Sequence, residues 1–399
     1  MTALRIAALL LGVAGTVWTM ASVVGALVVP RATTSRLSAW LAGLTRGAFA
    51  AMARRQRDYV DRDRTLAYLA PVFLLLRLAV WSSLLILSYA LILWPLIRGS
   101  FPAALRLSGS SMFTLGFAAT RGGPATAVVF AEAATGLVMV ALQISYLPTL
   151  YAAYNRRERL VTMLESSGGA PAWGPEILAR HALIGSLDSL PALYSRWEEW
   201  AADVAESHSS YSTLLYFRSP DPLRSWVLGL LAVMDAAALH LALCPLSAPA
   251  QARPLLRMGT VCLRAVAEVA EIPFDPDPHP EDPLQLTERE FADAVIRMER
   301  AGWVVERTPG GAWPHFRGWR VNYEGIAWAL ADLVAAPPGP WSGPRSAVLG
   351  ASFVPLRPPD RQPPTAETQT VRELTAQRRT ARGQPPPPAP PRTHGPRAR

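Results

Sequence analysis

Three long apolar runs set the pattern of the first 154 residues. The first, Ala7 to Val29, carries no charged side chain over 23 residues, and about 20 suffice for a helix to cross a hydrocarbon core. The second, Leu69 to Ile97, is interrupted by Arg77 alone, and the third, Ala125 to Tyr154, holds Glu132 and runs straight into "NRRER". The pattern predicts three transmembrane helices. The first run is longer than a secretory signal core, and cleaving it would export the basic segment behind it, so it reads as a retained span. Along it Ala8, Gly12 and Thr16 recur every fourth position. That stripe fits either a close helix contact or a lipid-facing anchor.

Residues 31–68 carry eight Arg against three Asp and read as a basic, partly helical surface segment. Basic loops stay on the cytoplasmic side. This rule places 31–68 and everything from 155 inside, and the N-terminus and residues 98–124 outside. Between 155 and 336 apolar residues recur at helical spacing between Pro, Gly and Ser breaks, which predicts a helical cytoplasmic domain. Within it "SWVLGLLAVMDAAALHLALC" is apolar enough to span, but Asp235 and His240 divide it, so a buried core helix is expected there. Residues 337–399, rich in Pro and Arg, have too little apolar content for a core and are expected to be disordered. The expected organisation is a transmembrane helix (1–30), a basic segment (31–68), a two-span unit (69–154), a helical domain (155–336) and a tail (337–399).

Between the second and third runs lies "SGSSMFTLGFAATRGGP", residues 108–124. It is too polar to cross a bilayer. Non-helical backbone at membrane depth is tolerated where protein buries it or where it lines a watery cavity, so a loop re-entering here implies a pore or binding cavity. "FPAALRLSGSSMF", 101–113, predicts a short helix with Pro102 in its first turn, and "TLGFA" follows in extended form.

This order of span, short helix, Thr-x-Gly-aromatic and span resembles the two-helix pore domain of the potassium-channel superfamily, over about residues 69–158. The family's filter reads Thr-Val-Gly-Tyr-Gly, and its backbone carbonyls replace the hydration shell of the ion. The match here runs Thr114, Leu115, Gly116, Phe117, Ala118. The resemblance implies that Thr114 supplies a hydroxyl and a carbonyl at the inner end, Leu115 a carbonyl, and Gly116 a positive φ. Phe117 lacks the hydroxyl of Tyr, and Ala118 stands where the family has Gly, with a steric cost of ~1 kcal/mol or more for a positive φ. Ala119 replaces a common Asp, and the outer loop carries Arg98, Arg106 and Arg121 without an acid. The resemblance further implies an all-α membrane protein with a re-entrant pore loop, passive transport of a monovalent cation such as K+, and a homotetramer around the filter. A membrane-anchored protein that does not conduct and binds a partner through its helical domain is the alternative.

Three further positions enter this reading. Glu132 lies ~12 Å into its span at ~1.5 Å per residue, where it either supports the filter backbone or meets Arg77, itself a candidate to snorkel towards the inner headgroups. Gly136, twenty residues beyond Gly116, suits either a bend of the inner helix or a close helix contact. Pro148 removes one helical hydrogen bond, and so either shapes a gate or redirects the chain.

Charge and chemistry change this picture little. The formal charge of +9 comes entirely from Arg, and those residues sit beside apolar runs and in the tail, which points to membrane lipid as a partner and away from nucleic acid. Cys244 and Cys262 lack metal-ligand spacing, and Glu198, Glu199, Glu206, His208, Asp235 and His240 lack the helical register of a metal or acid–base site. "FDPDPHPEDP", 274–283, reads as a linker, and "WPHFRGWR", 313–320, as an ordered aromatic corner. The sequence shows no phosphate-binding glycine loop, nucleophile elbow or His-Glu-x-x-His helix, so neither an enzyme nor a cofactor is expected.

Overall fold

The computed structural model of the protein describes residues 3–29 and 36–343. Among these residues the secondary structure is helical, without a β-strand. The first half comprises α1 (Ala3–Leu27), α2 (Arg36–Arg54), α3 (Tyr59–Ala67), α4 (Leu69–Leu93), α5 (Phe101–Met112) and α6 (Gly123–Gly168).

The small-residue stripe of α1 packs on α4. A Cβ on Gly12 would come within 2.9 Å of the Ile92 backbone nitrogen, and further along α1 the Ser22 hydroxyl accepts from the Trp81 indole at 3.2 Å. Low numbers therefore meet high ones, and the two helices run antiparallel. α4 and α6 are antiparallel as well: the Tyr89 and Thr135 hydroxyls lie 2.8 Å apart, while Arg77 faces Tyr146 at the opposite end.

α6 is continuous over 46 residues, with Pro148 inside it. At ~1.5 Å per residue it is about 69 Å long, more than twice the ~30 Å of a hydrocarbon core. Its C-terminal part, including "NRRER", therefore belongs to the helical domain. The expected division at 154/155 falls within an unbroken helix, which ends only where Gly169 takes φ +79°.

The second half comprises α7 (Gly174–Leu183), α8 (Leu190–Ser210), α9 (Trp226–Leu243), α10 (Ala252–Val269), α11 (Glu288–Arg300), α12 (Pro309–Arg320) and α13 (Glu324–Leu333). All eighteen residues of α9 are buried. Its one acid, Asp235, accepts from the Tyr323 hydroxyl at 2.9 Å and pairs with the buried Arg320, which also donates to Glu324 at 2.9 Å and to the Trp341 carbonyl at 2.8 Å. Desolvation makes a lone buried charge costly, and this set of partners offsets only part of that cost: burial still pushes the Asp235 carboxyl up to about 6. Among the described residues four stretches are long and apolar enough to cross a membrane: α1, Tyr59–Leu93, α6 and α9.

Two expectations change here. Residues 313–320 form the greater part of a helix, because Thr308 caps α12 with a hydrogen bond from Gly311 N–H and Pro309 opens its first turn. Residues 337–343, assigned to the tail, pack back on the domain through the buried Trp341. From residue 344 onward the expected disordered tail lies outside the described residues. The domain is also tied to the basic segment: Arg218 binds Asp63 and Tyr59 of α3 and donates to the carbonyls of Val334 and Ala335.

Candidate pore loop

α5 begins after Ser100 with Pro102 in its first turn and lies between α4 and α6. Its Ala104 and Leu107 pack with Ala90 and Leu93 of α4 and Ala125 of α6. Its buried serines make the polar attachments. Ser108 Oγ lies 2.8 Å from the Ile86 carbonyl and also bonds Glu132 Oε1, Ser111 Oγ donates to Leu107 O at 2.8 Å, and Ser110 Oγ accepts from Ala118 N–H at 3.2 Å.

Beyond Met112 the backbone leaves the helix. Thr114 N–H donates to Ser111 O at 3.0 Å and Leu115 N–H to Ser110 O at 2.8 Å, so the helix's last carbonyls hold the start of the loop. Thr114 and Gly116 take positive φ of 53° and 72°, whereas Ala118 does not. The steric cost expected at Ala118 is absent, and strain of that kind sits instead on Thr114, a β-branched residue. Among the described residues no donor reaches the carbonyls of Thr114, Leu115, Gly116 or Phe117. Leu115 and Phe117 are 63% and 61% exposed in the single chain.

Glu132 is fully buried on α6 and bonds Ser108; none of its partners belongs to residues 114–118, and its Oε2 has no partner. Gly136 lies against the end of α5, where a Cβ would overlap the Met112 carbonyl oxygen. A close contact is therefore present at Gly136. Pro148, at the other end of the apolar stretch, follows Tyr146, which packs with Leu150, Ala70 and Leu74.

Arg77 does not pair with Glu132. The residue is 3% exposed, and its guanidinium sits over the rings of Trp81 (4.9 Å), Phe73 (5.4 Å) and Tyr146 (5.5 Å). Ring faces attract a cation but leave Nε and Nη2 without hydrogen-bond partners.

Where α6 enters the helical domain, Arg157 of "NRRER" is buried and donates to Glu158 (2.9 Å), to the carbonyls of Leu214 (2.9 Å) and Phe217 (2.6 Å), and to His208 Nε2 (3.1 Å). An Arg can only donate, so Nε2 accepts and the His208 proton sits on Nδ1, 3.0 Å from the Val204 carbonyl. Burial first, and the Arg157 charge second, hold the His208 pKa well below its ordinary value. The arrangement fixes α6 rigidly to α8 and to the 3₁₀ turn Ser212–Tyr216.

The serines of α5 and the role of Arg157 are not apparent in the sequence reading. Three hydroxyls in the "SGSS" end of a short helix bounded by apolar runs are a signal for the former, because buried hydroxyls require partners. No protein-family model, curated protein or solved structure matches the chain.

Proposed function

We propose that the protein is a potassium-channel-like subunit that passes monovalent cations passively, as a homotetramer in the cell membrane. In this reading α1, α4 and the apolar part of α6 span the bilayer, α5 and residues 113–118 re-enter it from outside, and α9 is a core helix of a cytoplasmic domain. The carrying observation is the row of unpartnered carbonyls from Thr114 to Phe117, in an exposed loop whose base is secured by α5. Carbonyls at membrane depth cost several kcal/mol each when unsatisfied. Four loops around one axis would turn them towards a shared ion. Residues 114–118 are then the filter, Glu132 its support through Ser108 and α5, and α6 the inner helix that carries motion to the cytoplasmic domain through Arg157.

The competing reading is a membrane anchor that does not conduct. It draws on Arg98, Arg106 and Arg121, which leave the proposed outer mouth without an acid. Light scattering on detergent-purified protein, corrected for bound detergent, separates the two. A mass of four chains is expected for the pore, and a stable monomer or dimer overturns it.

A further inference from the structure

Where α2, α4 and α6 meet the helical domain, the chain forms a partly open cavity of about 180 Å³. Its walls include Arg77 and Tyr146 from the apolar helices, Arg46 from α2, and Tyr211, Ser212 and Thr213 from the segment after α8. This is smaller than the ~300–1,000 Å³ of a site for a drug-sized ligand. It matches a compact polar group.

The chemistry of the walls selects the sign of that group. Arg77 is buried to within 3% of its surface, and its Nε and Nη2 lack acceptors. Buried charges in proteins are normally paired. The aromatic faces around Arg77 and its hydrogen bond to the Tyr146 hydroxyl offset part of the cost, but among the described residues nothing accepts from Nε and Nη2, the two donors on one edge of the fork that fits a phosphate or carboxylate. Arg46, exposed at the rim, adds a second positive charge, and the hydroxyls of Tyr211, Ser212 and Thr213 add donors. Among the described residues the one lining carboxylate, Glu271, is solvent-exposed just beyond α10.

We propose that this cavity is an anion site in which Arg77 and Arg46 bind a phosphate group, either the headgroup of an anionic phospholipid or a free phosphate. The cavity has apolar helices on one side and the helical domain on the other. Its position at the inner face of the bilayer rests on the spans assigned above; the presence of an anion site does not. An occupied site would bridge α4, α6 and the 3₁₀ turn, next to Pro148 on the proposed inner helix.

The test is thermal unfolding of full-length protein in a zwitterionic detergent, titrated with short-chain phosphatidylglycerol, short-chain phosphatidylcholine or inorganic phosphate. Phosphatidylglycerol should raise the unfolding midpoint saturably. Phosphatidylcholine should not. A matching rise with inorganic phosphate assigns the site to a free phosphate, and its absence assigns it to the lipid headgroup; both support an anion site. Arg77→Gln should abolish the rise, and Arg46→Gln, at an exposed position that leaves the fold intact, should raise the half-saturating concentration about tenfold. Equal rises with both lipids, no rise with either anion, or an unchanged titration in Arg46→Gln would overturn the proposal. Ion flux plays no part in this readout, so a failure of the pore reading would leave it standing.

Discussion

The Met112 carbonyl, at the end of α5, lies against Gly136 of α6 so closely that no side chain can stand between them. A Cβ there would also come 3.1 Å from Met112 Sδ. The contact fixes the end of α5, and with it the start of the loop, against the third apolar helix.

Gly136→Ala should therefore destabilise the protein, although alanine is the better helix former by about 1 kcal/mol. Overpacking at such a site costs about 1–3 kcal/mol. Gly47→Ala on α2, where a Cβ meets nothing within 4 Å, should be neutral or slightly stabilising. Melting midpoints in detergent check the pair; equal effects would show that the α5–α6 contact is not tight.

The Ser108 hydroxyl has one hydrogen and lies between two oxygens, Ile86 O and Glu132 Oε1. Glutamine at 132 brings N–H hydrogens that can complete this set. Glu132→Gln should thus retain the assembly, whereas Ser108→Ala and Glu132→Ala each leave a buried group unpaired at a cost of about 1–3 kcal/mol. Tetramer fraction by light scattering and the melting midpoint report the difference. Loss in Glu132→Gln as severe as in Glu132→Ala would contradict the hydrogen-bond account.

Acid should loosen the helical domain. Burial lowers the pKa of His208 and of His181, with Arg157 adding to the effect at His208. Both imidazoles are neutral when folded and gain protons on unfolding, so their contribution is whole above the ordinary value of ~6.5 and declines below it, by up to ~1.4 kcal/mol per pH unit for each. The melting midpoint of the wild type should fall between pH 7 and pH 5, and His208→Gln should flatten that fall. Parallel profiles for the two proteins would rule out His208 as a source.

How much of this was legible in the sequence depends on where each signal resides. The apolar runs of α1, α4 and α6, the α1 stripe and the short helix before Thr114 are local patterns, and the structure contains those helices. α9 is as apolar as a membrane span, and Asp235 and His240 were the hints to its burial; the partners of Asp235, Arg320 and Tyr323, come from residues far along the chain. The division at 154/155 follows the apolar pattern, which "NRRER" breaks, whereas the helix itself runs on to Gly168 because no Gly or Pro follows Pro148 until there. In the sequence Arg157 is only one member of the basic cluster behind the third apolar run. Its burial follows from carbonyls at 214 and 217, which no local pattern announces. The start of α12 carries a local signal, Thr308 followed by Pro309, that the reading of 313–320 as an aromatic corner passed over.

The central claim is that ions pass along the carbonyls of residues 114–118. Potassium flux into liposomes containing the purified protein, beside a Gly116→Ala variant of equal tetramer content, tests it most directly. Gly116 has φ +72°, a conformation that costs a non-glycine residue roughly 1 kcal/mol or more, and its replacement distorts the carbonyl row without touching the α5–α6 contact. The account predicts saturable potassium uptake by the wild type and at least a tenfold loss in Gly116→Ala. Absence of uptake in tetrameric wild type, or equal uptake by both proteins, would contradict it.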